Sequence, residues 1–255
     1  MSLAAESRRR RFHHYGPWIL GGGAILVLAV VESIHRHLFS SFEAIYFLVL
    51  IPSIVLHEVS HGFVANLCGD RTAKEAGRLT LNPLKHVDPI GTVLLPILLT
   101  LAHGPAFGWA KPVPISPSRL RHPRNQSVLV GLAGPAVNIV LALIFGYAFR
   151  FLTADGANLP PGSASSPTAW GFGYELLYAA GFANVIIAAF NLIPIPPLDG
   201  SAVVERLLPR SALASYYRMR SLSMVLVFAL VFLAPGLLTS LFAHALSIWG
   251  NLVFS

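Results

Sequence analysis

The chain has 255 residues, of which 55% are hydrophobic and only 11% are charged, and its mean hydropathy is +0.65. Soluble domains carry about 25% charged residues, so this composition excludes an ordinary soluble protein and indicates an integral membrane protein. The net charge of +7 is typical of basic loops that face the cytoplasm and anionic lipid, and we expect no nucleic-acid partner. The single cysteine, Cys68, excludes an internal disulfide.

Apolar runs predict an all-α polytopic membrane protein with five to six transmembrane helices, which we expect to form a single domain over residues 1–255. The first run, residues 17–31, follows a basic cluster at residues 8–11 and lacks a small-residue cleavage site. It therefore predicts a retained N-terminal anchor helix within residues 1–41. The later runs of spanning length cover residues 42–67, 126–149 and 176–198.

The C-terminal residues 221–255 also lack Asp, Glu, Lys and Arg, but Pro235 and Gly236 interrupt them. They predict either one kinked helix or a span followed by a surface helix.

Residues 90–102 form a shorter apolar run, which Pro96 interrupts and which is short for a membrane span. Because cytoplasmic loops carry the excess of Lys and Arg, both basic flanks of this run should be cytoplasmic, as should the N-terminus. The run is then predicted to enter the membrane and return as a re-entrant segment, which is tolerated only beside protein or a water-filled cavity. The basic residues are Arg71, Lys74, Arg78 and Lys85 before the run, and Lys111, Arg119, Arg121 and Arg124 after it.

The motif HEVSH at residues 57–61 lies in the second apolar run, where Glu58 is the only charged side chain in residues 44–69. On a helix, His57 and His61 share one face, where two imidazoles can bind one metal ion. Glu58 lies beside them and could polarise a water molecule as a general base. Because a carboxylate in hydrocarbon is costly, its presence indicates a hydrated functional pocket. The pattern predicts a metalloenzyme that works within the bilayer.

A catalytic zinc site normally has three protein ligands and one open position, so a third ligand should follow later in the chain. The best candidate is Asp199, which follows a charge-free run and a cluster of prolines. The prolines should end the helix, and Gly200 would let the backbone turn the carboxylate towards a neighbouring helix. Both Asp199 and the HEVSH motif should lie near the cytoplasmic ends of their spans, at similar depth. His86 remains an alternative or accessory ligand.

These residues resemble the site-2 protease family of intramembrane zinc metalloproteases. The family pairs HExxH on one transmembrane helix with N-x-x-P-x-x-x-L-D-G on a later one, and here the second motif begins at Asn191 and ends at Gly200. The segment GPAVN at residues 134–138 is similar to the family's core pattern, and residues 82–92 and 108–114 are similar to its compact bacterial or archaeal branch. The resemblance covers about residues 42–243. We expect neither the PDZ nor the CBS domain of larger relatives.

The resemblance implies a zinc-dependent protease that hydrolyses peptide bonds in or near the transmembrane segments of membrane-anchored proteins. It would be a multi-pass protein of the cell membrane whose active site opens to the cytoplasm. His57, His61 and Asp199 would bind zinc, and Glu58 would take up and deliver the proton during peptide hydrolysis.

Three further elements are expected near the site. Asn138 and Asn191 would either bond helices to each other or hold the substrate backbone and its oxyanion. Residues 108–115 are expected to form a short membrane-associated β element that pairs with an unwound substrate segment.

Other functions fit parts of the pattern. A metal transporter would place ligands along a pathway, whereas these ligands converge at one depth. A membrane di-iron enzyme would need further histidine boxes, which the sequence does not contain. A catalytically inactive or metal-handling protein of the same fold would not need Glu58, so the intact glutamate favours the enzyme.

Overall fold

The computed structural model describes residues 41–94, 109–153, 171–220 and 222–255, and the described residues from Ile45 onward form one compact unit. In these ranges the regular structure is helical and contains no strand, which confirms the all-α prediction. The longer helices are α1 (Ser41–Leu67), α2 (Pro123–Thr153), α3 (Phe172–Asn191), α4 (Ser201–Leu207), α5 (Arg210–Arg220), α6 (Ser223–Leu233) and α7 (Pro235–Phe254).

Four helices of the described ranges are long and apolar enough to cross a membrane, namely α1 from Ala44 onward, α2, α3 and α7. Many of their large apolar side chains are exposed, for example Leu48, Ile144 and Leu252, which suits surfaces that face lipid. The described ranges thus contain four candidate spans, and the count of five to six stays a prediction. The predicted anchor at residues 17–31 lies outside the described residues.

The C-terminal apolar region divides at Ala234, whose backbone angles (φ −129°, ψ 46°) leave the helical range. The first part, α6, has 11 residues and is too short to span, whereas the 20 residues of α7 are sufficient. The break lies at the predicted interruption by Pro235 and Gly236. The short helix precedes the long one, which does not match a span followed by a surface helix. Val227 and Val231 of α6 pack with Leu198 and with Leu238 of α7.

The tryptophan Trp249 holds α7 against α2 and α3. Its indole N–H donates to the Ala142 carbonyl at 2.9 Å, and its ring packs on Gly146 and Gly181. A Cβ atom at these two glycines would come within 2.9 Å and 2.6 Å of the ring. Small residues allow this close approach of membrane helices.

Helix α3 ends at Asn191, earlier than the predicted end at residue 198, because the following prolines cannot donate the hydrogen bonds that continue a helix. The turn closes where the Gly200 N–H donates to the Asn191 carbonyl at 2.7 Å. Gly200 has ordinary helical angles, so its role is steric: a Cβ there would lie 2.2 Å from the Leu192 carbonyl oxygen. This tight turn carries Asp199 back to the end of α3.

Short helical turns connect α1 to α2, namely Thr72–Glu75, Pro83–Lys85, Pro89–Leu94 and Pro117–Arg119. Most of the predicted re-entrant run, residues 90–102, lies outside the described residues. Near its start, the Gly91 carbonyl accepts a hydrogen bond from the Trp109 N–H at 3.0 Å. The basic flanks also meet: Arg119 forms an ion pair with Glu75 at 2.8 Å. Residues 91 and 109, on either side of the stretch that the structure does not describe, therefore lie side by side, and the re-entrant segment itself stays a prediction.

Residues 109–116 form neither helix nor strand, so the predicted β element does not appear as a strand in the described part of the chain. Pro112 and Pro114 explain the difference, because each removes a backbone donor that a β ladder needs.

Asp70 fastens this segment to the end of α1. The side chain is fully buried; one carboxylate oxygen accepts from the Thr72 N–H at 3.0 Å and from the Thr72 hydroxyl, and the other accepts from the Ser116 N–H at 2.6 Å. Burial by itself would raise the pKa of Asp70, but these hydrogen bonds and the nearby Arg119 hold the pKa below its ordinary value. The ionised carboxylate is therefore the form that the fold stabilises.

The first prediction concerns the stability that Asp70 provides. Since its native pKa lies below the unfolded value of about 3.9, this stability is present above about pH 4 and is lost as the pH falls through the native pKa. We expect Asp70→Ala to lower the free energy of unfolding by about 1–3 kcal/mol near neutral pH, and the difference from the parent to shrink in acid. Thermal unfolding in detergent across this pH range measures it.

The control is Glu75→Ala, which removes an ion pair whose side chains are 54% and 60% exposed and should cost less than about 1 kcal/mol. A difference between Asp70→Ala and the parent that stays constant into acid would contradict the assignment of an ionised Asp70.

Candidate metal centre

Three side chains converge on one point where α1 faces the turn after α3. His57 and His61 project from one face of α1, and Asp199 comes from the turn that Gly200 closes. The Asp199 Oδ2 lies 3.0 Å from the His57 Nε2 and 3.3 Å from the His61 Nε2, and the two Nε2 atoms are 3.1 Å apart. In the described ranges this is the group of potential metal ligands that the fold assembles, and it contains the three residues predicted from the sequence.

The group has the dimensions of a zinc site. Nitrogen and oxygen ligands at about 2.0–2.1 Å in a tetrahedron are about 3.3 Å from one another, and the three distances here are 3.0–3.3 Å. Two imidazoles and one carboxylate are also a known ligand set of catalytic zinc, which keeps a fourth position open. The residues therefore fit a zinc ion.

Hydrogen bonds orient both imidazoles. The Nδ1 of His61 lies 2.6 Å from the Val130 carbonyl oxygen, which can only accept, so Nδ1 carries the hydrogen. The Nδ1 of His57 lies 2.5 Å from Oδ1 of Asn138, with the same consequence. In both rings the bare Nε2 then faces Asp199, as a metal ligand requires.

Glu58 lies next to the predicted ligands, and its carboxylate is bound by the segment of residues 109–116. Its Oε2 accepts a hydrogen bond from the Val113 N–H at 2.9 Å, and Val113 is buried. This contact connects the segment of residues 109–116 directly to the predicted general base. One oxygen of the carboxylate is fixed in position by a backbone donor.

A cavity of about 860 Å³ opens on these residues. Its polar part includes Glu58, Asp199 and Asn191, and it extends between apolar side chains of α6 and α7 such as Val231 and Phe242. The volume is ample for several residues of an apolar peptide segment.

The two asparagines predicted from the sequence have different surroundings. Asn138 is fully buried and lies away from the cavity lining; it bonds His57 and Asn184, which favours the helix-bonding alternative. Asn191 lines the cavity, and its side-chain N–H donates to the Ile187 carbonyl at 3.0 Å. Asn191 is therefore the one placed to contact a bound molecule.

The alternative ligand, His86, lies elsewhere. Its side chain is buried, its Nε2 is 2.8 Å from the Thr80 carbonyl, and its own carbonyl accepts from the Lys111 N–H at 2.9 Å. It holds the two sides of the loop together and is not part of the ligand group in the described residues.

Gly134 has a role at the site that sequence reasoning did not identify. A Cβ atom there would lie 2.4 Å from Nε2 of His61 and 2.5 Å from Nε2 of His57. It would crowd the metal-binding nitrogen of both histidines. The signal in the sequence was the GPAVN segment, but spacing alone does not show that its glycine faces the histidines.

The second prediction follows from this contact. Gly134→Ala should lower zinc affinity about 100-fold or more, since its methyl group meets both ligand nitrogens. Zinc content and chelator competition on the purified protein measure the effect. The matched control is Gly250→Ala in α7, where a Cβ would meet no described atom within 4 Å. If Gly134→Ala retained zinc as well as Gly250→Ala, the zinc ion would have to bind elsewhere.

Comparison with known proteins agrees with the geometry. The sequence profile described as Peptidase family M50 matches residues 44–168 and 163–234. A Bacillus subtilis protein named "Putative zinc metalloprotease YwhC" is 36% identical over 189 residues, which cover 74% of this chain and 80% of that protein.

Two further relatives carry similar names. "Putative zinc metalloprotease Rip2" of Mycolicibacterium smegmatis is 35% identical over 169 residues, covering 65% of this chain and 59% of that protein. "Zinc metalloprotease MJ0392" of Methanocaldococcus jannaschii is 26% identical over 186 residues, which cover 73% of this chain and 41% of that protein. No solved structure matches the chain.

Proposed function

The chain belongs to peptidase family M50 and is a zinc metalloprotease, and we propose that it hydrolyses peptide bonds in or near the transmembrane segments of membrane-anchored proteins. The observation that carries the proposal is the position of the ligand group. His57 and His61 belong to a helix that is long and apolar enough to cross a membrane, and the adjoining cavity continues between apolar side chains. A site so placed suits a substrate that is itself in the bilayer.

In the proposed mechanism, His57, His61 and Asp199 hold the zinc ion. Bound zinc lowers the pKa of water to about 7 and polarises a carbonyl group. Glu58 accepts the proton of the attacking water as the new C–O bond forms. It then delivers this proton to the amide nitrogen as the C–N bond breaks.

Val113 and Asn191 assist in this proposal. The Val113 N–H binds one oxygen of Glu58 and so fixes the orientation of the carboxylate, while the second oxygen exchanges the proton. We assign to Asn191, which lines the cavity, contact with the substrate backbone near the developing oxyanion.

The substrate must present an accessible carbonyl group. Within a helix each carbonyl is already hydrogen-bonded, so a transmembrane target has to unwind locally before cleavage. The segment of residues 109–116 adjoins the cavity through Trp109, Val113 and Ile115. We propose that it contacts the unwound stretch.

The third prediction separates proton transfer from metal binding. Glu58→Gln keeps the shape and the acceptor for Val113 but cannot take up the proton, so it should retain about one zinc per chain and lose 10²–10⁴-fold in cleavage rate, an order-of-magnitude expectation. Asp199→Ala should lose both zinc and cleavage. Elemental analysis and cleavage of a purified membrane-anchored substrate measure these properties.

Full cleavage by Glu58→Gln would exclude it as the general base. Zinc retained by Asp199→Ala would move the third ligand elsewhere. Zinc binding by the parent without cleavage of any membrane-anchored substrate would favour a metal-handling protein instead of a protease.

The fourth prediction concerns orientation, which we propose to be cytoplasmic for both flanks of the re-entrant run. Cysteines introduced at Lys85 and Arg121, both exposed, in a Cys68→Ser background should resist an impermeant thiol reagent on intact cells and react after permeabilisation. Phe172→Cys, at the opposite end of α3 from Asn191, is the positive control for the outer face. Labelling of one flank without the other on intact cells would contradict the re-entrant topology.

A further inference from the structure

We propose that Asn184 is a positioning residue of the metal centre, which fixes through Asn138 the tautomer of His57 that can bind a metal ion. The inference rests on the proposed role of His57 as a zinc ligand and adds a residue that does not touch the ligand group. Asn184 lies on α3, Asn138 on α2 and His57 on α1, so the connection crosses three helices.

The connection is a continuous row of buried hydrogen bonds. Asn138 Nδ2 donates to Asn184 Oδ1 at 2.6 Å. Asn184 Nδ2 donates to the Ala180 carbonyl at 2.8 Å and to Ser53 Oγ at 2.9 Å. The Ser53 hydroxyl donates to the Val49 carbonyl at 2.8 Å. Both asparagines are completely buried and Ser53 is 4% exposed, so water does not replace these bonds.

Two backbone carbonyls give the row one direction. The Ala180 carbonyl can only accept, so the amide nitrogen of Asn184 must face it, and the amide oxygen must then face Asn138. Asn138 must in turn present its nitrogen to Asn184 and its oxygen to His57. The Val49 carbonyl takes the hydroxyl hydrogen of Ser53 and leaves the oxygen of Ser53 free to accept from Asn184. The Ala180 carbonyl and the Ser53 hydroxyl therefore require the same orientation of the Asn184 amide.

The orientation decides which nitrogen of His57 is available to the metal. Facing the Asn138 oxygen, Nδ1 carries the hydrogen and Nε2 is bare towards Asp199. If the Asn138 amide rotated by half a turn, its N–H would face Nδ1, and the hydrogen would move to Nε2, which could no longer bind the ion. His61 needs no such relay, because the Val130 carbonyl bonds its Nδ1 directly.

The experiment measures zinc affinity by chelator competition on the purified protein in detergent and requires no protease assay. Asn184→Leu removes the acceptor for Asn138 and should weaken zinc binding about 10–100-fold. Asn184→Asp should retain nearly the parent's affinity, because a buried, protonated carboxyl group donates to Ala180 and accepts from Asn138 in the same sense. Ser53→Ala should have little effect, since the Ala180 carbonyl still fixes Asn184.

A double variant tests the route of the effect. In Asn138→Asp with Asn184→Leu, the carboxylate accepts from His57 Nδ1 without help from Asn184, so zinc affinity should return towards that of the parent. Trp249→Phe serves as the structural control, because it removes an interhelical hydrogen bond to Ala142, one helical turn from Asn138, without removing a hydrogen bond of the row. It should lower the unfolding temperature without changing zinc affinity. If Asn184→Leu fails to fold, Asn184→Ala takes its place.

Unchanged zinc affinity in Asn184→Leu or Asn184→Ala would overturn the proposal. The proposal would also be overturned if Trp249→Phe and Asn184→Leu lowered the unfolding temperature equally and lost zinc affinity equally. The loss of affinity would then follow from disturbed helix packing. Unchanged zinc affinity in His57→Ala would instead contradict the proposed zinc site itself.

Discussion

A polar centre inside membrane helices depends on one constraint: each nitrogen and oxygen around it needs a partner, because hydrocarbon supplies none. Here the constraint organises the helices. The two histidines turn their Nδ1 atoms outward to α2, one to the Val130 carbonyl and one to Asn138. Their Nε2 atoms are left to meet Asp199. The convergence of the three ligand atoms is thus a result of how the remaining polar atoms are satisfied.

The same constraint accounts for the irregular parts of the fold. The turn after α3 contains several prolines, which need no donor partner, and a glycine that admits the Leu192 carbonyl at a distance no side chain would allow. The segment of residues 109–116 gives one backbone N–H to Glu58 and another to Asp70. These N–H groups have no partner in a helix or a strand, and they donate to carboxylates instead.

Much of the site could be predicted from the sequence. The four-residue spacing of His57 and His61 implies a shared helix face, and the carboxylate of Asp199 after a proline cluster indicates a ligand that returns to the helices. The helical class followed from composition and from long apolar runs. These inferences depend on local periodicity and on residue chemistry, which a single sequence contains.

What could not be predicted depends on contacts between distant residues. Nothing local distinguishes Asn184 from other polar residues in an apolar helix, and its function appears only when α3 lies against α2. The role of Gly134 beside both histidines could not be predicted either, because spacing does not show which side chains a glycine faces. The β element was predicted from resemblance, and no strand forms in the described residues there, where Pro112 and Pro114 each lack a backbone donor.

The three ligands also differ in how far apart they are along the chain. His57 and His61 are one helical turn apart on a rigid element, whereas Asp199 arrives from a turn that is held by the packing of Leu198 against α6 and α7. A zinc ion bound by all three therefore acts as a cross-link that closes a very long loop of chain, and the entropy of that closure is part of its binding free energy. Release of the metal would loosen the association of α1 with the turn after α3 as well as stop hydrolysis. Zinc binding would therefore add to the stability of the folded protein.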